Sequence, residues 1–337
     1  MTELASISAI ATALPEHRLD PERTSDLLCR VFPRLRTVSL QPVTRYSVEP
    51  PDQLLRARAV GEAMRLYQRH APRLAAEACA AALAAAGIAA DEIDVVISTS
   101  CTGYLCPALD VRLVAGLGMR DDVVRIPLTE LGCSGGMTAL GLAQRHLEGH
   151  PSERVLVVAV ELCSLSFQPD DRSIDNLIAS MVFGDGAAAA VLTASAPRPG
   201  GLELVSTSRR LLPDSAGRLG FDLRDDGFHV VLDPHLPAVI GDRLADAVSG
   251  FWTGDAPRFH AVHAGGPRIF DAVERSLHLG EGALASSRRV FDSVGNLSSA
   301  SILYCLDALP ETWGDGLALA FGPGVTVEMA RVRRCQG

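Results

Sequence analysis

Aromatic residues are scarce in this 337-residue chain, at 5% against 47% hydrophobic residues overall. Its core must therefore be filled mainly by Ala, Val and Leu. A basic excess is also missing: the formal net charge of −9 argues against a nucleic-acid binder, which needs a basic balance. It leaves room for a local arginine cluster that holds a small anion. No apolar run reaches the roughly 20 residues that cross a bilayer, which excludes a spanning helix and predicts no membrane partner. Met1-Thr-Glu-Leu-Ala has an early acid and no basic region, unlike a signal peptide. None of the eight cysteines has a CxxC spacing or a partnered His ladder, so no metal site is expected. Their scatter through apolar segments predicts reduced thiols in a cytoplasmic protein.

What the chain does contain is an alternation of strands and helices. Residues 4–13 read as a first strand, 20–36 as helical and 42–51 as loop. Helices are expected over 53–69 and 71–86, a buried strand over 93–100, a loop over 101–107 and a helix over 109–117. Strands over 123–126 and 154–160 then alternate with helices over 137–147 and 173–181. The glycine-punctuated apolar segment Phe183–Leu192 closes this half, and 194–201 looks like a boundary. Such alternation predicts an α/β fold with a mostly parallel sheet covered by helices. In the second half, strand 259–263 precedes a helix, and Gly316–Glu328 echoes Phe183–Leu192. That internal duplication predicts two α/β halves, 1–196 and 197–337, with a site where they meet.

Three residues at element ends carry the candidate chemistry. Cys133 lies at a strand-to-helix turn, where the helix dipole is expected to ease loss of the thiol proton. Gly132, Gly135 and Gly136 around it allow another backbone or a substrate to approach closely. His263 ends a strand of the second half, and Asn296 precedes the helix-start serines Ser298 and Ser299. Strand ends are where ligands bind in open α/β sheets. An imidazolium stabilises a neighbouring thiolate, and Asn and His N–H groups can donate to an oxyanion on a thioester carbonyl. Taken singly, each has a structural explanation: Cys133 as a small buried hydrophobe, His263 as a satisfied core histidine, Asn296 as a turn residue. Arg34, Arg36 and Arg45 put positive charge near the 42–51 loop, either as a solvated face or as a phosphate site.

These residues fall within stretches spread along nearly the whole chain: Thr102-Gly103 with Pro107, Leu131-Gly-Cys133, Glu161-Leu-Cys-Ser-Leu-Ser166, Phe183-Gly-Asp-Gly186, His263-Ala-Gly-Gly-Pro267, Gly295-Asn296 with Ser298-Ser-Ala300, and Phe321-Gly-Pro-Gly324. In that order they resemble the chalcone synthase family, the type III polyketide synthases of the thiolase-like superfamily, and the bacterial members more than the plant ones. The resemblance implies a thiolase-like fold of two duplicated halves in a five-layer αβαβα sandwich. It implies an acyltransferase that needs no cofactor or carrier protein. Cys133 would accept an acyl-CoA starter, and His263 with Asn296 would stabilise the thiolate and polarise the malonyl-CoA extender. Repeated decarboxylative condensation and cyclisation would then give a phenolic, naphthalene or pyrone product. Phe183 matches a gatekeeping aromatic; Cys163, Leu165, Ser166 and Ser298 match the elongation chamber. Gly265 and Phe321 fall in matched stretches assigned to substrate binding. Cys106 falls where relatives place a Met that crosses a homodimer interface into the partner's cavity. Arg45 aligns with a basic residue that holds coenzyme A phosphates, with Arg34, Arg36 and Arg268 as looser candidates.

Two other enzyme classes use the same residues. A β-ketoacyl-acyl-carrier-protein synthase III type enzyme shares the Cys-His-Asn logic but extends with a carrier-bound malonyl group. Against it, Ala320-Phe-Gly-Pro-Gly324 resembles the polyketide synthases. A Cys-His-Asn thioester hydrolase would release free acid and form no carbon–carbon bond.

Overall fold

Apolar runs with no polar alternation, such as Val155–Val160, are buried on both faces and become the centre of one large sheet. The computed structural model describes residues 4–33, 42–197 and 200–336. The first half runs β1 (Ala5–Ala13), β2 (His17–Leu19), α1 (Pro21–Val31), β3 (Arg45–Ser47), α2 (Val60–Ala86), β4 (Val95–Thr99), α3 (Leu109–Leu117), β5 (Val124–Leu128), α4 (Gly135–Gly149), β6 (Val155–Leu162), α5 (Ile174–Val182) and β7 (Asp185–Thr193). The second runs β8 (Leu202–Leu211), β9 (Leu219–Arg224), β10 (Gly227–Leu232), α6 (Leu236–Ser249), β11 (His260–Val262), α7 (Pro267–Ser276), α8 (Ala285–Val294), α9 (Ser301–Asp307), β12 (Gly314–Gly322) and β13 (Thr326–Arg334).

Nine strands pair in the order β11-β12-β13-β8-β1-β7-β6-β4-β5. From β1 outward, and again from β8 outward, the pairings run antiparallel, antiparallel, parallel. This repeat is the duplication expressed in topology. The halves join where Ala5 and Ile7 of β1 face Leu204 and Leu202 of β8. The expectation of a mostly parallel sheet is corrected: among the described residues, only the pairings β4–β5, β4–β6 and β11–β12 of this sheet are parallel. The reason lies in α5, which packs on α1 and β10 instead of crossing back over the sheet. With no crossover, β7 returns antiparallel to β6.

The helices form layers. The buried stripe of α2, including Tyr67, Ala71, Leu74, Ala75 and Ala78, covers the outer face of the first-half sheet. On the inner face, α4 is buried nearly all round and touches β4 and β6 as well as β8 and β13, as a helix between two sheet layers must be. Helix α9 packs beside it, and α6 with α7 lies against the second half. The succession is helix, sheet, helix, sheet, helix: the thiolase-like sandwich. Among the described residues, no helix is long and apolar enough to cross a membrane.

Local boundaries differ from the sequence expectations in several places. The expected loop 42–51 holds the short strand β3, and the helix expected from 53 begins at Val60. The helices expected on either side of Pro72 are one, because the buried alanine face carries α2 through the missing N–H. The Gly316–Glu328 segment is two strands, β12 and β13, separated at Pro323-Gly324.

Candidate active site

Cys133 occupies a short 3₁₀ turn, Gly132–Ser134, that runs directly into α4. A Cβ at Gly132 would lie 2.6 Å from Pro323 Cδ, and φ there is +50°, so glycine is required on both counts. A Cβ at Gly136 would lie 2.2 Å from the Ser299 carbonyl oxygen. Its absence lets α4 touch the turn Ser298–Ala300 backbone to backbone. That contact carries the second half's polar residues to the sulfur. Cys133 Sγ lies 3.6 Å from Ser298 Oγ and 4.0 Å from Asn296 Oδ1.

Asn296 is held from several sides. Its N–H donates to the Val182 carbonyl at 2.7 Å, and its own carbonyl accepts from Gly184 N–H at 3.1 Å. Oδ1 accepts from Ser298 N–H at 2.8 Å and from Ser301 Oγ at 3.3 Å. Because a backbone N–H can only donate, the amide's orientation follows, and Nδ2 meets no acceptor among the described residues.

His263 follows β11 and is 3% exposed. Its N–H donates to the Leu319 carbonyl at 2.9 Å, and its ring stands edge-on to Phe321 with centroids 5.6 Å apart. Nδ1 is buried without a partner. A Cβ at Gly265 would lie 2.9 Å from the imidazole, so that glycine reserves the ring's space. Burial pushes the imidazole down to about 4 and the Cys133 thiol up to about 11, despite the favourable hydrogen bond with Ser298. Desolvation thus opposes the easing of thiol ionisation expected from the helix terminus. No hydrogen bond joins Cys133 to His263 among the described residues.

Cys133 opens into a cavity that holds about 990 Å³ of space, its mouth included. Phe183, Cys163, Ser166, Ser298 and Arg45 line it, and so do Leu28, Leu54, Leu55 and Phe167. The hairpin β9–β10 supplies Leu219, Gly220, Phe221, Val230 and Leu232. Leu165 is not in the wall; at 3% exposure it packs into the core beneath α2. Gly265 and Phe321 shape the space around His263 and do not line the cavity. Cys106 is exposed and lies outside it.

The basic candidates separate. Arg45 turns its guanidinium inward, donating to the carbonyls of Ser180 and, at 3.4 Å, Phe183. Burial lowers it to about 10, with Asp185 pulling the other way. Its Nη1 thus serves backbone carbonyls, while the residue also lines the cavity. Arg268 is exposed at the start of α7 and donates to the Pro234 carbonyl at 3.1 Å. Arg34 and Arg36 lie outside the described residues.

Two site residues escaped sequence reasoning. Glu161, fully buried at the end of β6, accepts from Thr102 Oγ1 at 2.7 Å, from Cys101 N–H at 3.1 Å and from Ser299 Oγ. It thus ties the loop after β4 to the Ser298 turn. A lone acid closing an apolar strand was the available signal. Cys101 lines the cavity, with Sγ 3.3 Å from Ser298 Oγ; no spacing distinguished it from the other cysteines.

Comparisons with known proteins agree with this geometry. Residues 55–197 match the N-terminal domain of chalcone and stilbene synthases, and residues 203–335 match their C-terminal domain. The chain is 38% identical to a 1,3,6,8-tetrahydroxynaphthalene synthase of Streptomyces peucetius subsp. caesius, over 97% of this chain and 93% of that protein. It is 29% identical to an alpha-pyrone synthesis polyketide synthase-like protein of Mycobacterium tuberculosis, covering 97% and 90% respectively. The crystal structure of the Streptomyces coelicolor 1,3,6,8-tetrahydroxynaphthalene synthase superimposes with a TM-score of 0.91 at 30% identity, covering 98% of this chain and all of that one. With both domains matched and the thiolase-like layers in place, the chain belongs to the chalcone and stilbene synthase family, the type III polyketide synthases, acyltransferases that condense coenzyme A thioesters.

Proposed function

We propose that this enzyme builds a hydroxylated naphthalene from malonyl-CoA, with Cys133 as the nucleophile and His263 and Asn296 as its partners. The observation that carries the reading is the meeting of Cys133 with Asn296 and Ser298 at one end of a cavity. The name of the Streptomyces peucetius relative supports the product class. In this reading the half 1–196 supplies the nucleophile and the half 197–337 supplies the His and Asn.

The chemistry follows from the groups present. The buried imidazole is neutral at neutral pH and is free to take the thiol proton. The resulting thiolate attacks the starter thioester, and coenzyme A leaves as its thiol. Malonyl-CoA then loses carbon dioxide, and the electron pair of the broken bond becomes an enolate. Asn296 Nδ2 and a His263 N–H donate to the enolate oxygen, and the same donors suit the tetrahedral oxyanion. The enolate carbon attacks the Cys133 thioester, which releases the sulfur for the next round.

A second starter class has its own support. Leu28, Leu54, Leu55, Phe167 and Leu232 give the cavity an apolar side, which suits an acyl chain and a pyrone product. A homodimer is supported by the edge strand β5, whose Val124 is 50% exposed, beside the loop that carries exposed Cys106 and Tyr104. Free cysteines throughout fit a cytoplasmic location.

Incubation with isotope-labelled malonyl-CoA, alone and with a panel of acyl-CoA starters, tests the proposal by mass spectrometry. Multiply extended products that disappear in Cys133→Ala are expected. Free acid and coenzyme A alone would overturn it in favour of a hydrolase, or of an enzyme that requires a carrier protein.

A further inference from the structure

The wall of the cavity formed by β3 stands outside the nine-stranded sheet, since among the described residues β3 pairs only with the three-residue β2. Something else must hold Tyr46 and Ser47, which line the cavity, at a fixed distance from the opposite walls. Asp185, at the start of β7 and fully buried, makes that connection. One carboxylate oxygen accepts from Ser164 N–H at 2.8 Å. The other accepts from Ser164 Oγ at 2.6 Å and from Val48 N–H at 2.9 Å. Ser164 sits between Cys163 and Leu165 in the turn after β6, whereas Val48 directly follows β3. Arg45 laces the same strand to the end of α5 through the carbonyls of Ser180 and Phe183.

A buried carboxylate given three donors and a nearby guanidinium can stay ionised where desolvation would otherwise neutralise it. Two elements that line the cavity, β3 and the Cys163–Ser166 turn, therefore converge on one side chain that follows Phe183 by two residues and is not itself among the cavity-lining residues. We propose that Asp185 is a positioning residue that sets the spacing between β3, the Cys163–Ser166 turn and the Phe183 segment, and so the length to which the polyketide grows. This rests on the polyketide reading above.

Asp185→Asn tests it. The amide replaces one accepting oxygen with an NH₂ group, which must face the donors of Ser164 or Val48. Labelled malonyl-CoA products and acylation of Cys133, read from the intact protein mass, are measured together. The ratio of the longest product to shorter ones is expected to fall about threefold or more, while acylation falls by a smaller factor. Ser164→Ala, which removes the hydroxyl bond to Asp185 and takes one polar atom from the cavity wall, is expected to shift the ratio the same way by less. Folded variants that keep the wild-type ratio, or that lose product only in step with acylation, would overturn the positioning role alone. If Asp185→Asn does not fold, Ser164→Ala decides the matter. A wild-type chain that makes no extended product would overturn both this role and the function proposed above.

Discussion

Asn296 Oδ1 accepts the Ser298 backbone N–H at 2.8 Å, and this one bond decides which end of the amide is free to act. Nδ2 becomes the donor, on a residue only 3% exposed. Asn296→Ala should therefore lower the condensation rate by roughly 100- to 1,000-fold. Acylation of Cys133, which needs the thiolate first, should suffer less. Single-turnover decarboxylation of malonyl-CoA, followed beside starter loading, separates the two.

Burial, the largest cause, with the Glu161 charge behind it, pushes the Cys133 thiol up to about 11, so an imidazole able to take the proton must bring the effective value down. Alkylation by iodoacetamide reports the thiolate fraction and rises with pH through that value. The wild-type half-point should lie well below 11, and His263→Ala should move it up towards 11. Identical profiles for the two proteins would remove His263 from thiol activation.

Gly265→Ala places a methyl group 2.9 Å from the His263 ring. The imidazole must turn, and activity should fall at least about tenfold with little loss of melting temperature. Gly136→Ala is the converse case. Its methyl group meets the Ser299 carbonyl at 2.2 Å, backbone that cannot swing aside, so stability should drop by about 1–3 kcal/mol. Chemical denaturation checks the second, and steady-state rates check the first.

Ser166→Leu adds volume to a wall residue whose hydroxyl has no partner. No hydrogen bond is lost, so shorter products are expected without unfolding. Mass spectra of the product mixture would show the shift.

Val124→Arg puts a charge on the exposed face of edge strand β5. If two chains meet along that edge, sedimentation should show the mass falling from dimer to monomer. An unchanged dimer would place the interface elsewhere.

The site was legible to the extent that local chemistry dictates position. Cys133, His263 and Asn296 each stand at an element end marked by glycines, and those glycines prove to be points of close approach, to backbone at Gly136 and Gly295 and to side chains at Gly132 and Gly265. The strand direction of β7 was not legible, because it depends on α5 packing against α1 and β10, contacts far away in sequence. The inward turn of Arg45 was not legible for a similar reason: it depends on carbonyls of Ser180 and Phe183, far away in sequence. Glu161 was visible only as an oddity at the end of β6. The hairpin β9–β10 was missed because its walls, partly polar and partly apolar, follow no single alternation.

That hairpin pairs only with itself and hangs outside the main sheet, yet it supplies five cavity-lining residues, Leu219, Gly220, Phe221, Val230 and Leu232. Its contacts run to α5, to the Pro323–Val325 turn and to the Cys163–Ser166 turn. Substitutions on this flap can therefore reshape the chamber without breaking a strand pairing of the main sheet. Product diversity among relatives with one scaffold is the natural outcome, and the flap is where a directed library should begin.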